Sequence, residues 1–171
     1  LGQIEEWTKT REVVPVAEKG KIVEVDVKAD YIEFQKKYLT DLSNLKIGLD
    51  CSNGMAGLLI KDLLGDQPEY LFDEMDGTFP NHEPNPLVEK NVEALKTLVK
   101  DKQLDVGVIF DGDADRVMFV DEKGQFISPD LIIGLMAHYF LEEKGQKGNV
   151  LQDIRTSKAV AEYIETFGSN M

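Results

Sequence analysis

Residues 111–116 read Asp-Gly-Asp-Ala-Asp-Arg and follow directly on an apolar run. Like charges this close together raise one another's pKa or require a counter-ion. Carboxylate oxygens are the ligands that a hard divalent cation, Mg²⁺ in particular, prefers. The last residue, Arg116, offers a planar set of donors suited to phosphate or carboxylate. The spacing therefore predicts a metal site at Asp111, Asp113 and Asp115, with an anion site beside it.

Three other kinds of loop have similar acidic sequences. A plain solvated turn is disfavoured because the strand-like segment 116–121 follows, and tight hairpins usually turn on Asn-Gly or Asp-Gly. An EF-hand loop needs glycine at its sixth position and helices on either side, whereas this chain has Arg116 there and strands around it. A phosphotransferase with an aspartate nucleophile, resembling the haloacid dehalogenase family, would carry threonine in place of Asp115. That last interpretation stays open.

The segments around the loop alternate between strand and helix patterns after an irregular, charged opening. Strands are predicted over residues 21–27, 45–51, 69–73, 106–110, 116–121 and 149–153. Helices are predicted to begin at N-caps Asp30, Asn85 and Ser128 and to cover 55–64 and 157–167. The strands on either side of the acidic loop should be antiparallel, because so short a loop cannot make a parallel crossover. The chain is predicted to be a layered α/β/α domain with a mixed sheet, followed by the truncated start of another α/β domain.

Two of these helices carry more detailed predictions. The helix that begins at Asp30 should bury Tyr31, Phe34 and Tyr38, which share one face. Asn85 should cap the next helix directly, because Pro86 suits the first helical position.

Composition and charge exclude several classes of protein. The net charge of −13, from 19 basic and 32 acidic residues, argues against binding nucleic acid through a basic face. The sequence has neither the apolar run of about 20 residues that a membrane span needs nor a secretory signal at its first residues. The single cysteine, Cys51, cannot form an internal disulfide and is interpreted as a small buried side chain. A cytoplasmic location is expected.

Four segments, in this order, resemble the α-D-phosphohexomutases, the phosphomannomutase/phosphoglucomutase group. Residues 47–57 resemble the strand and Asn-Gly turn that open the second domain of that family. Residues 77–86, here called the Pro-rich loop, resemble its Phe-Pro-Asn-His-x-Pro-Asn-Pro motif. Residues 111–116 match its Mg²⁺ loop, and residues 153–157 resemble the start of its third domain.

The resemblance implies a reversible transfer of a phosphoryl group between the 1- and 6-positions of a mannose or glucose phosphate. The transfer would pass through a phosphoserine and a hexose bisphosphate intermediate. Asp111, Asp113 and Asp115 would hold Mg²⁺ together with a phosphoserine oxygen. Arg116 would be catalytic and substrate-binding, and Arg155 would also bind the substrate.

The resemblance leaves the role of His82 open between a solvated loop residue and support for the active cleft. It leaves the choice of hexose open too, although Ala114 favours the mannose and glucose mutases over their phosphoglucosamine relatives. Of the three arginines, Arg116 and Arg155 fall in these motifs. A phosphate site built by this chain alone would have few cations, so further cations are expected elsewhere in a larger polypeptide.

The same resemblance divides the chain near the polar segment 121–124, a typical domain edge. Residues 1–27 would be the tail of a first domain or a linker, 28–125 the second, metal-binding domain, and 126–171 a partial third domain. The serine of the family lies in a Thr-x-Ser-His-Asn-Pro-like loop, and this sequence has no such motif. The first domain, the rest of the third and the fourth are expected elsewhere in the same polypeptide, and the chain alone should be inactive.

A non-catalytic alternative remains. The chain could be a stand-alone module that binds a divalent metal or a partner protein. The chain does not begin with Met, so its ends are not obviously native. The gene sequence beyond both ends distinguishes the two, because a mutase would continue for hundreds of residues.

Overall fold

A five-stranded mixed sheet forms the centre of the structure, a computed structural model that describes residues 1–169. The last two residues of the predicted third-domain segment lie outside that range. The strands are β1 (Ile47–Asp50), β2 (Glu69–Leu71), β3 (Val106–Phe110), β4 (Val117–Asp121) and β5 (Phe126–Ile127). Their order across the sheet is β2-β1-β3-β4-β5, and β1 runs parallel to both β2 and β3. The last two pairings, β3 with β4 and β4 with β5, are antiparallel.

Helices lie around this sheet and confirm the predicted α/β fold. They are α1 (Gly2–Thr10), α2 (Lys28–Lys36), α3 (Ile60–Leu64), α4 (Glu93–Lys102), α5 (Pro129–Ala137) and α6 (Lys158–Glu165). Two 3₁₀ turns, Met55–Leu58 and Glu89–Val92, precede α3 and α4, and a π-helical turn, His138–Glu143, follows α5. None of the helices between residues 1 and 169 has the length and apolar character needed to cross a bilayer.

The main core lies between α4 and the sheet. Val92, Leu95 and Val99 are fully buried and pack with Ile109 of β3 and Val120 of β4. Burial of branched side chains on this scale is the main force that keeps α4 on the sheet. A smaller cluster, Ala137, Val160 and Ile164, joins α5 to α6.

The close approach of α4 to the sheet depends on Gly107, the second residue of β3. A methyl group added at Gly107 would lie 2.8 Å from Val99 Cγ2 and 2.9 Å from Leu95 Cγ. We expect Gly107→Ala to destabilise the chain by about 1–3 kcal/mol, because the core must shift to admit the methyl group. Thermal unfolding followed by circular dichroism measures this. The control is Gly20→Ala, whose methyl group would meet nothing within 4 Å. Equal melting temperatures for the two variants would contradict the packing described here.

Two predicted strands are wrong. Residues 21–27 and 149–153 have no regular secondary structure, and Ile22 and Leu151 are almost fully exposed at 94% and 99%. Both segments have strand-like composition, but a strand forms only where a neighbour accepts its backbone hydrogen bonds. No strand within residues 1–169 pairs with either segment. The opening predicted to be irregular instead contains α1, none of whose residues is buried.

The helix starts were predicted with mixed success. Ser128 caps α5 and Ser157 caps α6, each accepting a backbone N–H two residues on, as their spacing indicated. By contrast α2 already begins at Lys28, ahead of Asp30, and buries Ile32 while Tyr31, Phe34 and Tyr38 stay exposed. The prediction that Asn85 caps a helix was also wrong. Its side-chain oxygen accepts the backbone N–H of Leu87 within a turn that precedes the 3₁₀ segment Glu89–Val92. The spacing of the three aromatic residues fits one face of a helix, but in the structure that face is exposed instead of packing on the sheet.

The predicted domain edge coincides with the turn between β4 and β5. Asp121 accepts N–H groups of Lys123 and Gln125 and shapes this turn. The sheet continues through it, because β5 pairs with β4. The division into residues 1–27, 28–125 and 126–171 stays a prediction.

Candidate metal centre

The three aspartates of the acidic loop come together at the end of β3. One carboxylate oxygen from each of Asp111, Asp113 and Asp115 lies within 4.8 Å of the others. Asp111 is buried, while Asp113 and Asp115 are exposed. One buried carboxylate and two exposed ones suit a hard cation that also takes oxygen ligands from outside the loop.

Asp111 organises the loop through Arg116. Its Oδ1 accepts the backbone N–H of Arg116 at 3.0 Å, and its Oδ2 accepts the guanidinium Nε–H at 2.5 Å. The backbone N–H of Asp111 donates in return to the Arg116 carbonyl at 3.2 Å. The loop is therefore closed across its base before any metal binds, with Asp113 and Asp115 held at its tip.

The carboxylates of the loop differ in their electrostatics. Burial by itself would raise the pKa of Asp111, but the N–H and guanidinium groups of Arg116 outweigh it and hold that pKa below its ordinary value. Contact with Asp111, and then the charge of Asp113, raises the pKa of Asp115. One arginine does not neutralise three carboxylates, so the loop keeps an excess of negative charge that a divalent cation would offset.

The turn after β1 supports the acidic loop from one side. The backbone N–H of Met55 donates to the Gly112 carbonyl at 2.9 Å. A methyl group at Gly54 would lie 2.5 Å from that same oxygen, so only glycine allows this approach. On the other side, a methyl group at Gly112 would lie 3.4 Å from Pro84 Cβ and 3.6 Å from Phe79 Cζ. The loop is thus held between the Asn-Gly turn and the Pro-rich loop.

Sequence analysis missed a second buried carboxylate, Asp50, which pairs with His82. His82 Nε2 lies 3.1 Å from Asp50 Oδ2, and the Asp50 side chain is fully buried. The sequence could have indicated Asp50, because it lies near the end of one predicted strand and Asp111 follows another. In the structure β1 and β3 are parallel neighbours, so both carboxylates lie at the same edge of the sheet. His82 is a buried partner in this edge and not a solvated loop residue.

Unusual backbone conformations concentrate in the loops of this edge. Five of the six non-glycine residues with positive φ within residues 1–169 lie in these loops: Ser52, Asn53, Phe72, Phe79 and Ala114. The sixth, Gln103, ends α4. Left-handed conformations at such residues persist only where the surroundings impose them, and they cluster at functional sites.

The two arginines singled out from the sequence line one cleft. Arg116, Arg155 and the start of α5 at Ser128–Asp130 border a cavity of about 420 Å³. Arg155 is held by Asp153 through Nε at 2.7 Å and Nη2 at 3.1 Å, and this pairing lowers the pKa of Asp153 to about 2. A larger cavity of about 730 Å³ between α5 and α6 has neither Arg nor Lys among its described lining residues. Of these two cavities, the smaller one is lined by arginines that could contact an anion.

The prediction that Cys51 is a small buried side chain is confirmed. Cys51 is fully buried, and burial raises the pKa of its thiol to about 12. It is a packing residue of the β1 edge and not a nucleophile.

The Asp50–His82 pair makes stability depend on pH. The hydrogen bond that His82 donates to the Asp50 carboxylate raises the pKa of His82, while burial opposes that shift. Its contribution is therefore fully present below the unfolded-state pKa of about 6.5 and is lost as the pH rises through the higher folded-state pKa. Urea unfolding across this range should show wild type losing stability as the pH rises, a slope that His82→Gln lacks. Parallel curves for the two proteins would contradict the ion pair.

Comparison with known proteins gives a class for this fold and site. Residues 29–124 match the family described as phosphoglucomutase/phosphomannomutase, alpha/beta/alpha domain II. A phosphoglucomutase of Neisseria meningitidis is 32% identical over 152 residues, which cover 87% of this chain and 33% of that protein. A phosphomannomutase of Methanocaldococcus jannaschii is 34% identical over 149 residues, 84% of this chain and 33% of that protein.

A solved structure supports the same conclusion. The phosphoglucomutase/phosphomannomutase family protein of Burkholderia thailandensis matches with a TM-score of 0.77 and 31% identity, over 85% of this chain and 32% of that one. The chain belongs to the phosphoglucomutase/phosphomannomutase family, as its motifs indicated. It spans about one third of the length of the curated relatives it matches.

Proposed function

We propose that this chain is the metal-binding portion of an enzyme that interconverts hexose 1-phosphate and hexose 6-phosphate through a phosphoserine. The observation that carries the proposal is the cluster of Asp111, Asp113 and Asp115, with carboxylate oxygens within 4.8 Å of one another in a preformed loop. Membership in a mutase family supports the reaction type.

Asp111, Asp113 and Asp115 are the proposed ligands of Mg²⁺. When bound, the ion polarises the phosphoryl oxygens and offsets the negative charge that moves during transfer. The donor set fits this ion, because all three ligands are oxygens and the two exposed carboxylates leave room for an oxygen of a phosphoserine. Asp111 also keeps Arg116 oriented through its two hydrogen bonds.

Arg116 and Arg155 are the proposed binding groups for the substrate phosphate. Arg116 uses Nε to hold Asp111, and its side chain is 46% exposed toward the cleft it shares with Arg155. A guanidinium fork in this position would orient a phosphoryl group and stabilise its charge beside the metal. Arg116 is therefore the proposed catalytic residue as well.

The nucleophile and the remaining binding groups are proposed to lie in other domains of the same polypeptide. The sequence contains no serine in the Thr-x-Ser-His-Asn-Pro context of the family. The chain also supplies few cations for an anionic bisphosphate intermediate. A mannose or a glucose phosphate is the proposed substrate. The cytoplasm is the proposed location, because Cys51 is a lone, buried thiol.

Assays of the protein that carries this chain, and of the 171-residue chain alone, test the proposal. Purified full-length protein should exchange phosphoryl groups between the 1- and 6-positions in the presence of Mg²⁺. The chain alone should show a cooperative melt but no exchange. Full-length protein without mutase activity would favour the alternative, a metal-binding or interaction module. Exchange by the isolated chain would contradict the missing nucleophile.

A further inference from the structure

A series of buried and partly buried hydrogen bonds connects the Pro-rich loop to the base of the acidic loop. His82 Nε2 contacts both Asp50 carboxylate oxygens, at 3.1 and 3.3 Å. Asp50 Oδ1 also accepts the backbone N–H of Ser52 at 2.8 Å. The Ser52 hydroxyl then donates to the Phe110 carbonyl at 2.5 Å. Phe110 immediately precedes Asp111, so this series of hydrogen bonds ends next to the first aspartate of the cluster.

Both ring nitrogens of His82 face acceptors. Nε2 faces the Asp50 carboxylate, and Nδ1 lies 2.9 Å from the Glu83 carbonyl oxygen. A neutral imidazole has only one N–H, so it would set a lone pair against one of these oxygens. The ring satisfies both contacts only as an imidazolium with two donors. In that form His82 donates to both oxygens and is held in one orientation.

Stability alone does not account for such a pair. The side chains of His82 and Asp50 are only 9% and 0% exposed. Taking two charges out of water can cost as much as their attraction returns, and apolar replacements of buried ion pairs are often neutral or stabilising. The pair does fix the orientation of both side chains, because each of them has defined hydrogen-bond partners. A positioning role therefore fits it better than a stabilising one.

A second contact ties the same two segments together. Asn81 Nδ2 donates to Asn53 Oδ1 at 2.8 Å, and Asn53 Nδ2 donates to the Glu74 carbonyl at 2.8 Å. Ser52 and Asn53 both have φ of 52°, a conformation that needs such external support. The Pro-rich loop thus holds the Asn-Gly turn at two points, and the turn holds Gly112 through Met55.

We propose that His82, Asp50 and Ser52 are positioning residues for the metal centre, acting through the Phe110 carbonyl on Asp111. The inference rests on the proposed metal role of Asp111. The ion pair fixes the backbone of Ser52, the Ser52 hydroxyl fixes the end of β3, and the Asp111 carboxylate is thereby aimed at the cluster. None of the three is among the proposed metal ligands, so they would act through Asp111 and not on the ion directly.

Mn²⁺ titration of the chain by calorimetry tests this, with Ser52→Ala and His82→Gln as variants. Ser52→Ala removes only the hydroxyl and leaves the ion pair, so it keeps the test valid if His82→Gln fails to fold. Loss of groups that orient metal ligands typically weakens metal affinity by about 10- to 100-fold, and we expect Ser52→Ala near the lower end. The control is His138→Gln, which removes the other histidine and should bind Mn²⁺ as wild type does.

Amide hydrogen exchange supplies a readout that a general loss of stability would not give. Protection should fall at the N–H groups of Arg116 and Met55, which depend on the loop, and stay unchanged at Leu49 in the core. Wild-type affinity in both variants, or an equal loss of protection at Leu49, would overturn the inference. A wild-type chain that binds no Mn²⁺ would instead contradict the metal role itself, and this inference with it.

Discussion

Replacing Arg116 with lysine is expected to lower the turnover of the full-length enzyme by one to a few orders of magnitude. Losing one well-aimed donor at a developing charge costs about 2–4 kcal/mol of activation free energy. Lysine keeps the charge but loses the planar fork that contacts Asp111 and faces the cleft. Stability should change less than turnover, because lysine keeps a positive charge beside the buried Asp111 carboxylate.

Steady-state kinetics and thermal melts on the same preparations distinguish the two roles of Arg116. Arg11→Lys is the matched control, because Arg11 is exposed directly after α1, where its guanidinium lies over the Trp7 ring and away from the acidic loop. The control should keep wild-type turnover. Normal turnover together with a lowered melting temperature in Arg116→Lys would assign the residue to structure.

Gly54→Ala is expected to have the largest effect on the acidic loop itself. Its φ of −102° is open to any residue, so the effect is steric: the methyl group would lie 2.5 Å from the Gly112 carbonyl oxygen. Relief of this clash requires Gly112 to move and the Met55–Gly112 hydrogen bond to break. Overpacking and the lost bond together should cost about 2–4 kcal/mol, and the metal ligands should be displaced.

A matched glycine separates loop displacement from general strain. A methyl group at Gly57 would lie 2.1 Å from the Asp73 carbonyl oxygen, a backbone clash at least as severe but outside the acidic loop. Both Gly54→Ala and Gly57→Ala should lower the melting temperature. Divalent-metal affinity should fall much further in Gly54→Ala. Equal affinity in the two variants would show that the Asn-Gly turn does not hold the metal loop.

The features that could be predicted from the sequence are those set by neighbouring residues. The acidic cluster follows from spacing within one loop, and the hairpin of β3 and β4 follows from the two apolar runs that it joins. The start of α5 follows from Ser128 followed by Pro129. Each of these depends on contacts that the local chain itself supplies.

Features that depend on distant partners could not be predicted. Residues 21–27 and 149–153 have strand-like sequences, but nothing in those sequences tells whether another strand lies beside them. Asp50 and His82 are 32 residues apart, and only the parallel pairing of β1 with β2 and β3 places Asp50 at the edge that the Pro-rich loop covers. The motif resemblance indicated that the Pro-rich loop matters, but not the contact through which it acts.

The most direct test of the metal centre is titration calorimetry with Mg²⁺ on the chain and on Asp113→Asn. Asp113 is exposed at the tip of the loop, so the substitution removes a charge from the cluster with little effect on folding. Exposed Asp101 on α4 supplies the control, Asp101→Asn. Wild type and the control should bind Mg²⁺ with the same affinity, and Asp113→Asn should bind it much more weakly. Equal binding by all three proteins would show that the acidic loop is not the metal site.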